Sequence, residues 1–303
     1  MRRFGWSETS QAEAQANADA RAEEALRQIL AGEKLPRREP KIPYNGARGV
    51  PIREEIVDRH GETVITRNAY GARCLNTPNV LFVDIDFTTG AAPRFYLGVF
   101  VSLLLCAEAI AWHVRSASLG WGLLGLVLAL TGPFGNLLHR AIQLAKGNKE
   151  KAARSRIERF LAKRPEWSAH LYRTPAGLRV LATHDIFQPR DPLVAECFKA
   201  LGADPIYVRM CLNQNCFRAR VSPKPWRIGV SAHMRPRPGV WPVKPERMSQ
   251  RREWIDAYEQ AAAPFAACAL IATLGTGGVH PEARAVLELH DTLCKADRGL
   301  PIA

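Results

Sequence analysis

The chain has 303 residues, a formal net charge of +13, a pI near 9.8 and seven cysteines. That length holds one or two domains with a sizeable core, and the overall composition is ordinary for a globular protein, so most of the chain is water-soluble in character. The charge favours anionic partners (nucleic acid, nucleotide phosphates or an anionic membrane surface), and an odd number of scattered cysteines excludes a disulfide-framework scaffold in favour of a reducing compartment.

Residues 7–31 are rich in helix formers, with Ser7 as a candidate cap, and predict an exposed N-terminal helix without an apolar signal-peptide stretch. A Pro-rich basic run, LPRREPKIPYNG, follows as an extended linker. Residues 50–67 carry β signals, IREEIVD and TVITR, flanking a turn at Arg59-His60-Gly61-Glu62.

Next comes Val80 to Phe87, VLFVDIDF, preceded by the turn-like Asn76-Thr77-Pro78-Asn79. Alternate residues of a strand share a face, so Asp84 and Asp86 project together. Two neighbouring carboxylates on a buried-type strand repel each other unless a cation neutralises them, and hard oxygen ligands suit Mg²⁺ or Mn²⁺. The alternative is a strand end whose aspartates reach solvent.

Two apolar stretches interrupt this soluble pattern. Phe95 to Trp112 is broken only by Glu108, and Leu119 to Leu138 is twenty residues without an acidic or basic side chain. An α-helix needs about 20 apolar residues to cross a bilayer core. A link at His113 to Ser118 makes the pair a transmembrane hairpin, with glycines for close packing and Trp112 and Trp121 at the interface. Residues 139–164 carry nine Lys or Arg against Glu150 and Glu158, which by positive-inside logic places both flanks, and both termini, in the cytoplasm. The basic helix predicted at 149–163 has an apolar stripe of Ile157, Phe160 and Leu161 and suits contact with anionic headgroups or nucleic acid.

His170 to His184 reads as a second β unit around a Pro175-Ala176-Gly177 turn, and 191–202 as a helix started by Asp191-Pro192 and stopped by Gly202. Residues 205–245 contain no Asp or Glu. Within them CFRARVSPKPWRIG places Arg218 and Arg220 on one face of a strand, followed by Lys224 and Arg227, a set of donors suited to phosphate oxygens. Cys211 and Cys216 lack the second closely spaced pair of a structural zinc motif. Residues 246–274 and 281–297 read as two helices joined by Gly275-Thr276-Gly277-Gly278.

The order of these pieces resembles the catalytic core of the archaeo-eukaryotic primase (primase-polymerase) superfamily. FVDIDF is similar to its hhhDhD strand, Thr174-Pro175-Ala176-Gly177-Leu178-Arg179 to its second motif, and Asp204 followed by RARVSPK to its third motif and basic tail. Arg179 stands where the family usually has His. The resemblance implies an α+β fold, an RRM-like antiparallel sheet interrupted by the membrane hairpin, with helical N- and C-terminal extensions. It also implies that Asp84, Asp86 and Asp204 hold two divalent ions, Mg²⁺ or Mn²⁺, for nucleotidyl transfer, while Thr174, Arg179, Arg218, Arg220 and Lys224 bind nucleotide or nucleic-acid phosphates.

The expected division is an N-terminal helix at 1–34, a first half of the core at 35–93, the hairpin at 94–145, a second half at 146–245, and C-terminal helices at 246–303. The expected activity is that of a membrane-tethered primase-polymerase-like nucleotidyltransferase acting on nucleotides or nucleic acid. The alternative is a non-enzymatic membrane protein whose basic cytoplasmic domain binds nucleic acid or anionic lipid.

Overall fold

A computed structural model describes residues 3–5, 7, 10–35, 54–87, 91–115, 117–145, 147–237, 239 and 241–303. Its elements run α1 (Gln11–Leu30), β1 (Glu55–His60), β2 (Thr63–Arg67), β3 (Arg73–Thr77), β4 (Phe82–Asp86), α2 (Pro93–Val114), α3 (Ala117–Ala145) and α4 (Lys149–Leu161). Then come β5 (Ser168–Arg173), β6 (Gly177–Ala182), α5 (Pro192–Leu201), α6 (Pro205–Gln214), β7 (Phe217–Arg220), α7 (Met248–Ala262), β8 (Ala269–Gly275) and α8 (Pro281–Cys294). The α+β class holds, but the strands form two separate four-stranded antiparallel sheets where one was expected. Residues 36–53, which include most of the predicted linker, lie outside the described residues.

The first compact unit comprises residues 1–79, 188–190 and 205–265. Its sheet has the order β1-β2-β3-β7, so the chain returns from far downstream to add the last strand. The β1–β2 turn is tighter than expected: His60 pairs with Thr63, and Gly61 takes a positive φ of 58° that suits glycine. Asn76 and Thr77, expected in a turn, are buried residues of β3. The Asn76 Nδ2 donates to the Val64 carbonyl and the Thr66 hydroxyl, which compensates burial of that end of the side chain. Met234, Trp254, Tyr258 and Ala262 form a buried cluster centred on α7. At α1 the N-cap is Ser10, whose hydroxyl accepts from the Glu13 amide, while Ser7 donates to the Glu13 carboxylate.

The second unit comprises residues 80–187, 191–204 and 266–303, with sheet order β4-β6-β5-β8. One face buries Val83, Val180 and Ala169 with Ile157 and Phe160 of α4 and Cys197 and Leu201 of α5. Complete burial of Ile157 contributes about 1.5–3 kcal/mol. The apolar stripe of α4 is therefore occupied by the core, and only its charged face remains for a membrane surface. α5 starts and stops as expected, with Asp191 accepting from the Leu193 amide and Gly202 left-handed at φ 74°. The segment ACALIATL, expected within a helix, instead supplies edge strand β8 beside β5. Strand pairing outweighs its helix-compatible composition, because propensity is a weak prior.

α2 and α3 are long and apolar enough to cross a membrane, and only 17% and 11% of their most apolar windows are buried. Leu97, Leu105, Trp112, Trp121 and Leu128 are exposed, so these helices are not the core of a soluble domain. They run antiparallel: the Tyr96 hydroxyl bonds Asn136 at 2.6 Å near one end, and Ala111 meets Gly120 at the other. The link is shorter than expected, with α2 ending at Val114 and α3 starting at Ala117. Arg115 adopts a left-handed cap at φ 51°.

Candidate functional site

The expected carboxylates lie in the second unit. Antiparallel pairing of β4 with β6 sets Asp84 opposite Arg179 and Asp86 opposite Gly177. Arg179 Nε and Nη2 donate to the two Asp84 carboxylate oxygens at 2.7 and 3.1 Å. The Arg179 side chain is only 2% exposed and that of Asp84 24%. Burial opposes the Arg179 charge, but the adjacent Asp84 carboxylate outweighs it and holds the guanidinium above its usual range. Arg179 is thus a buried partner of Asp84, whereas a phosphate-binding side chain needs access.

Asp204 follows α5 and its backbone N–H donates to the Asp84 carbonyl at 2.9 Å, so the third motif piece abuts β4. Asp86 sits exposed at the end of that strand. Among the described residues, these three carboxylates do not come together as a ligand group for one ion. With Asp84 already compensated by a guanidinium, this donor set does not present a formed two-ion centre for Mg²⁺ or Mn²⁺. Thr174 closes the β5–β6 turn: its hydroxyl accepts from the amides of Ala176 and Gly177 at 3.3 and 3.0 Å. His184 packs its ring on Trp167 at 4.2 Å.

A group not anticipated from the sequence lies on the α8-facing side of the same sheet. Cys268, His290 and Cys294 are all buried, and their ligand atoms lie within 4.8 Å of one another. Cys268 Sγ is 3.9 Å from His290 Nε2, and His290 Nδ1 is 2.9 Å from Asp291 Oδ1. The rings of Phe82 and Tyr172 flank the imidazole. A hydrogen bond from Cys294, opposed by burial and reinforced by His290 and Arg179, holds the Cys268 thiol below the usual thiol range. The His290-x₃-Cys294 spacing on a helix was the one legible signal; Cys268 had none.

The remaining expected residues belong to the first unit. Arg218 Nη2 bonds both oxygens of Glu54 at 2.8 and 2.6 Å, and both side chains are buried. This buried ion pair accounts for Arg218 as a structural residue of β7. Arg220 instead reaches Tyr70 as a hydrogen-bond partner. The Lys224 ammonium lies 5.4 Å from the ring centroid of Trp226, and Tyr70 packs edge-on to that ring at 5.2 Å. Trp226 is 56% exposed. An open aromatic ring beside cations is a surface on which a nucleobase stacks while its phosphates are neutralised.

Comparison with protein-family profiles, curated protein sequences and solved structures gives no match.

Proposed function

We propose that the chain is a membrane-attached, non-enzymatic protein whose water-exposed portion binds single-stranded nucleic acid. The observation that carries this reading is the Tyr70–Trp226–Lys224 group, with Arg220 beside it and Trp226 more than half exposed. The +13 charge supplies the long-range attraction. Attachment is assigned to the α2–α3 hairpin, whose antiparallel course returns the chain to one side. The basic residues after α3 favour the cytoplasm for both flanks.

The test is fluorescence anisotropy of a labelled oligothymidylate with the full chain in detergent. Binding is expected to weaken steeply with salt and to weaken in Trp226→Ala. If Trp226→Ala binds the oligonucleotide like the parent while phosphatidylserine vesicles compete for the same chain, an anionic-lipid surface replaces this reading.

A second reading, a primase-polymerase-like nucleotidyltransferase, is favoured by the Asp204 amide bonding the Asp84 carbonyl. Asp84, its cross-strand partner Arg179 and the backbone of Asp204 are neighbours at β4, while the RARVSPK tail belongs to the first unit. The β4-α4-β5-β6-α5 order, with β6 between β4 and β5, also suits part of an RRM-like sheet. β8, however, borders β5, whereas the last strand of an RRM-like sheet borders the first. Nucleotide incorporation by the detergent-solubilised chain with Mn²⁺, abolished in Asp86→Asn and Asp204→Asn, would establish this reading. No incorporation and no nucleotide binding by the parent chain would remove it.

A further inference from the structure

The group at Cys268, His290 and Cys294 has no part in the proposed function, and its chemistry points elsewhere. All three residues are fully buried, at 0% exposure, so no substrate reaches Cys268 and a nucleophilic role is excluded. His290 and Cys294 stand four residues apart on α8 and therefore share one helix face. Cys268 precedes β8, and the backbone ties this segment to the end of α8: the Ala267 amide donates to the Cys294 carbonyl and the Leu270 amide to the Ala296 carbonyl, each at 3.0 Å.

We infer that Cys268, His290 and Cys294 form an intrinsic site for a thiophilic d¹⁰ cation, Zn²⁺ or Cu⁺, that pins α8 to the start of β8. Two sulfur atoms and one imidazole nitrogen select such ions, and the absence of oxygen donors in this group disfavours Mg²⁺ and Ca²⁺. Zn–S and Zn–N bonds of about 2.3 and 2.0–2.1 Å place tetrahedral ligand atoms roughly 3.5–3.8 Å apart. The Cys268–His290 separation is already 3.9 Å and no pair exceeds 4.8 Å, so small side-chain rotations complete the geometry.

The surrounding groups suit this role. Asp291 bonds Nδ1 of His290, which fixes the tautomer and leaves Nε2 as the donor facing the sulfurs, the carboxylate–histidine–metal arrangement of many zinc sites. Arg179 Nη1 lies 3.3 Å from Nε2, a contact that a bound ion would replace. Its own charge is matched by Asp84, so two thiolates remain to balance a divalent ion.

The experiment uses the full chain in detergent under reductant. The chain is stripped with a chelator, reloaded with Zn²⁺, Cu⁺ or Co²⁺, and dialysed before metal analysis and absorption spectroscopy. A stoichiometric amount of Zn²⁺ or Cu⁺ is expected to remain, and whichever is retained identifies the ion. Co²⁺ is expected to give a near-ultraviolet thiolate band that Cys268→Ser and Cys294→Ser lose and Cys216→Ser keeps. The inference falls if the wild-type chain, with circular dichroism unchanged by stripping, retains only traces of both ions. It also falls if Cys268 and Cys294 are found as a disulfide in protein alkylated at lysis.

Discussion

Arg179 grips both carboxylate oxygens of Asp84 across adjacent strands, at 2.7 and 3.1 Å, with the guanidinium almost wholly buried. The residue expected to hold a phosphate is instead the counter-ion of the residue expected to hold a metal. Removing one partner of a buried pair leaves the other charge without compensation. Asp84→Asn is therefore expected to destabilise the chain by about 3–5 kcal/mol, and Asp84→Asn with Arg179→Met by less than the sum of the two single changes. Chemical denaturation of the four proteins in detergent checks this coupling, and additive losses would contradict it.

Gly177 lies where β6 passes β4 so closely that a Cβ would sit 2.0 Å from the Ile85 carbonyl oxygen. That obstacle is backbone and cannot rotate away. Gly177→Ala is expected to cost about 1–3 kcal/mol through strand displacement, as overpacking does. Gly278→Ala, with nothing within 4 Å of its added Cβ, serves as the neutral control. Equal melting temperatures for the two variants would refute the steric account.

The Trp226 surface makes a quantitative prediction about nucleic acid. Trp226→Ala is expected to lose about 1–3 kcal/mol of single-strand binding, the usual worth of one stacked base. Lys224→Ala should reduce the slope of log affinity against log salt by about 0.7, one phosphate contact. A salt series on the three proteins separates stacking from charge, and an unchanged slope in Lys224→Ala would detach Lys224 from the phosphates.

Stability should fall in alkali. Burial pushes the Cys197 thiol up to about 12 from 9.0, and burial likewise raises the Tyr258 hydroxyl to about 12 from 10.0. The unfolded chain loses these protons first, so it binds fewer protons than the native state between about pH 9 and pH 12, and stability declines across that window. Denaturation midpoints measured from pH 7 to pH 11 test the sign. In the native protein at pH 8, maleimide should modify the partly exposed Cys216 while sparing Cys197.

The α2–α3 pair predicts that the chain stays with membranes after carbonate extraction and is released by detergent. Leu97, Leu105 and Leu128 are exposed, an apolar surface that suits lipid better than water. Recovery in the soluble fraction after carbonate would remove the membrane assignment.

Local chemistry was legible in the sequence where a residue type dictates its own surroundings. Asp191-Pro192 and Gly202 bounded α5 because a side-chain acceptor, a missing amide and a left-handed backbone act within a single turn. The apolar runs of α2 and α3 were legible from their length and continuous apolarity, and β4 and β6 from short runs of strand formers beside turn residues. What only the tertiary structure decided were the pairings across long separations. It made ACALIATL an edge strand, because an open sheet edge beside β5 supplied its hydrogen bonds. It divided the strands between two sheets, turned Arg218 and Arg179 inward onto Glu54 and Asp84, and gathered Cys268 with His290 and Cys294. A charged side chain in a sequence carries no label for its counter-ion. Burial makes that partner obligatory, and the fold alone determines which residue it is.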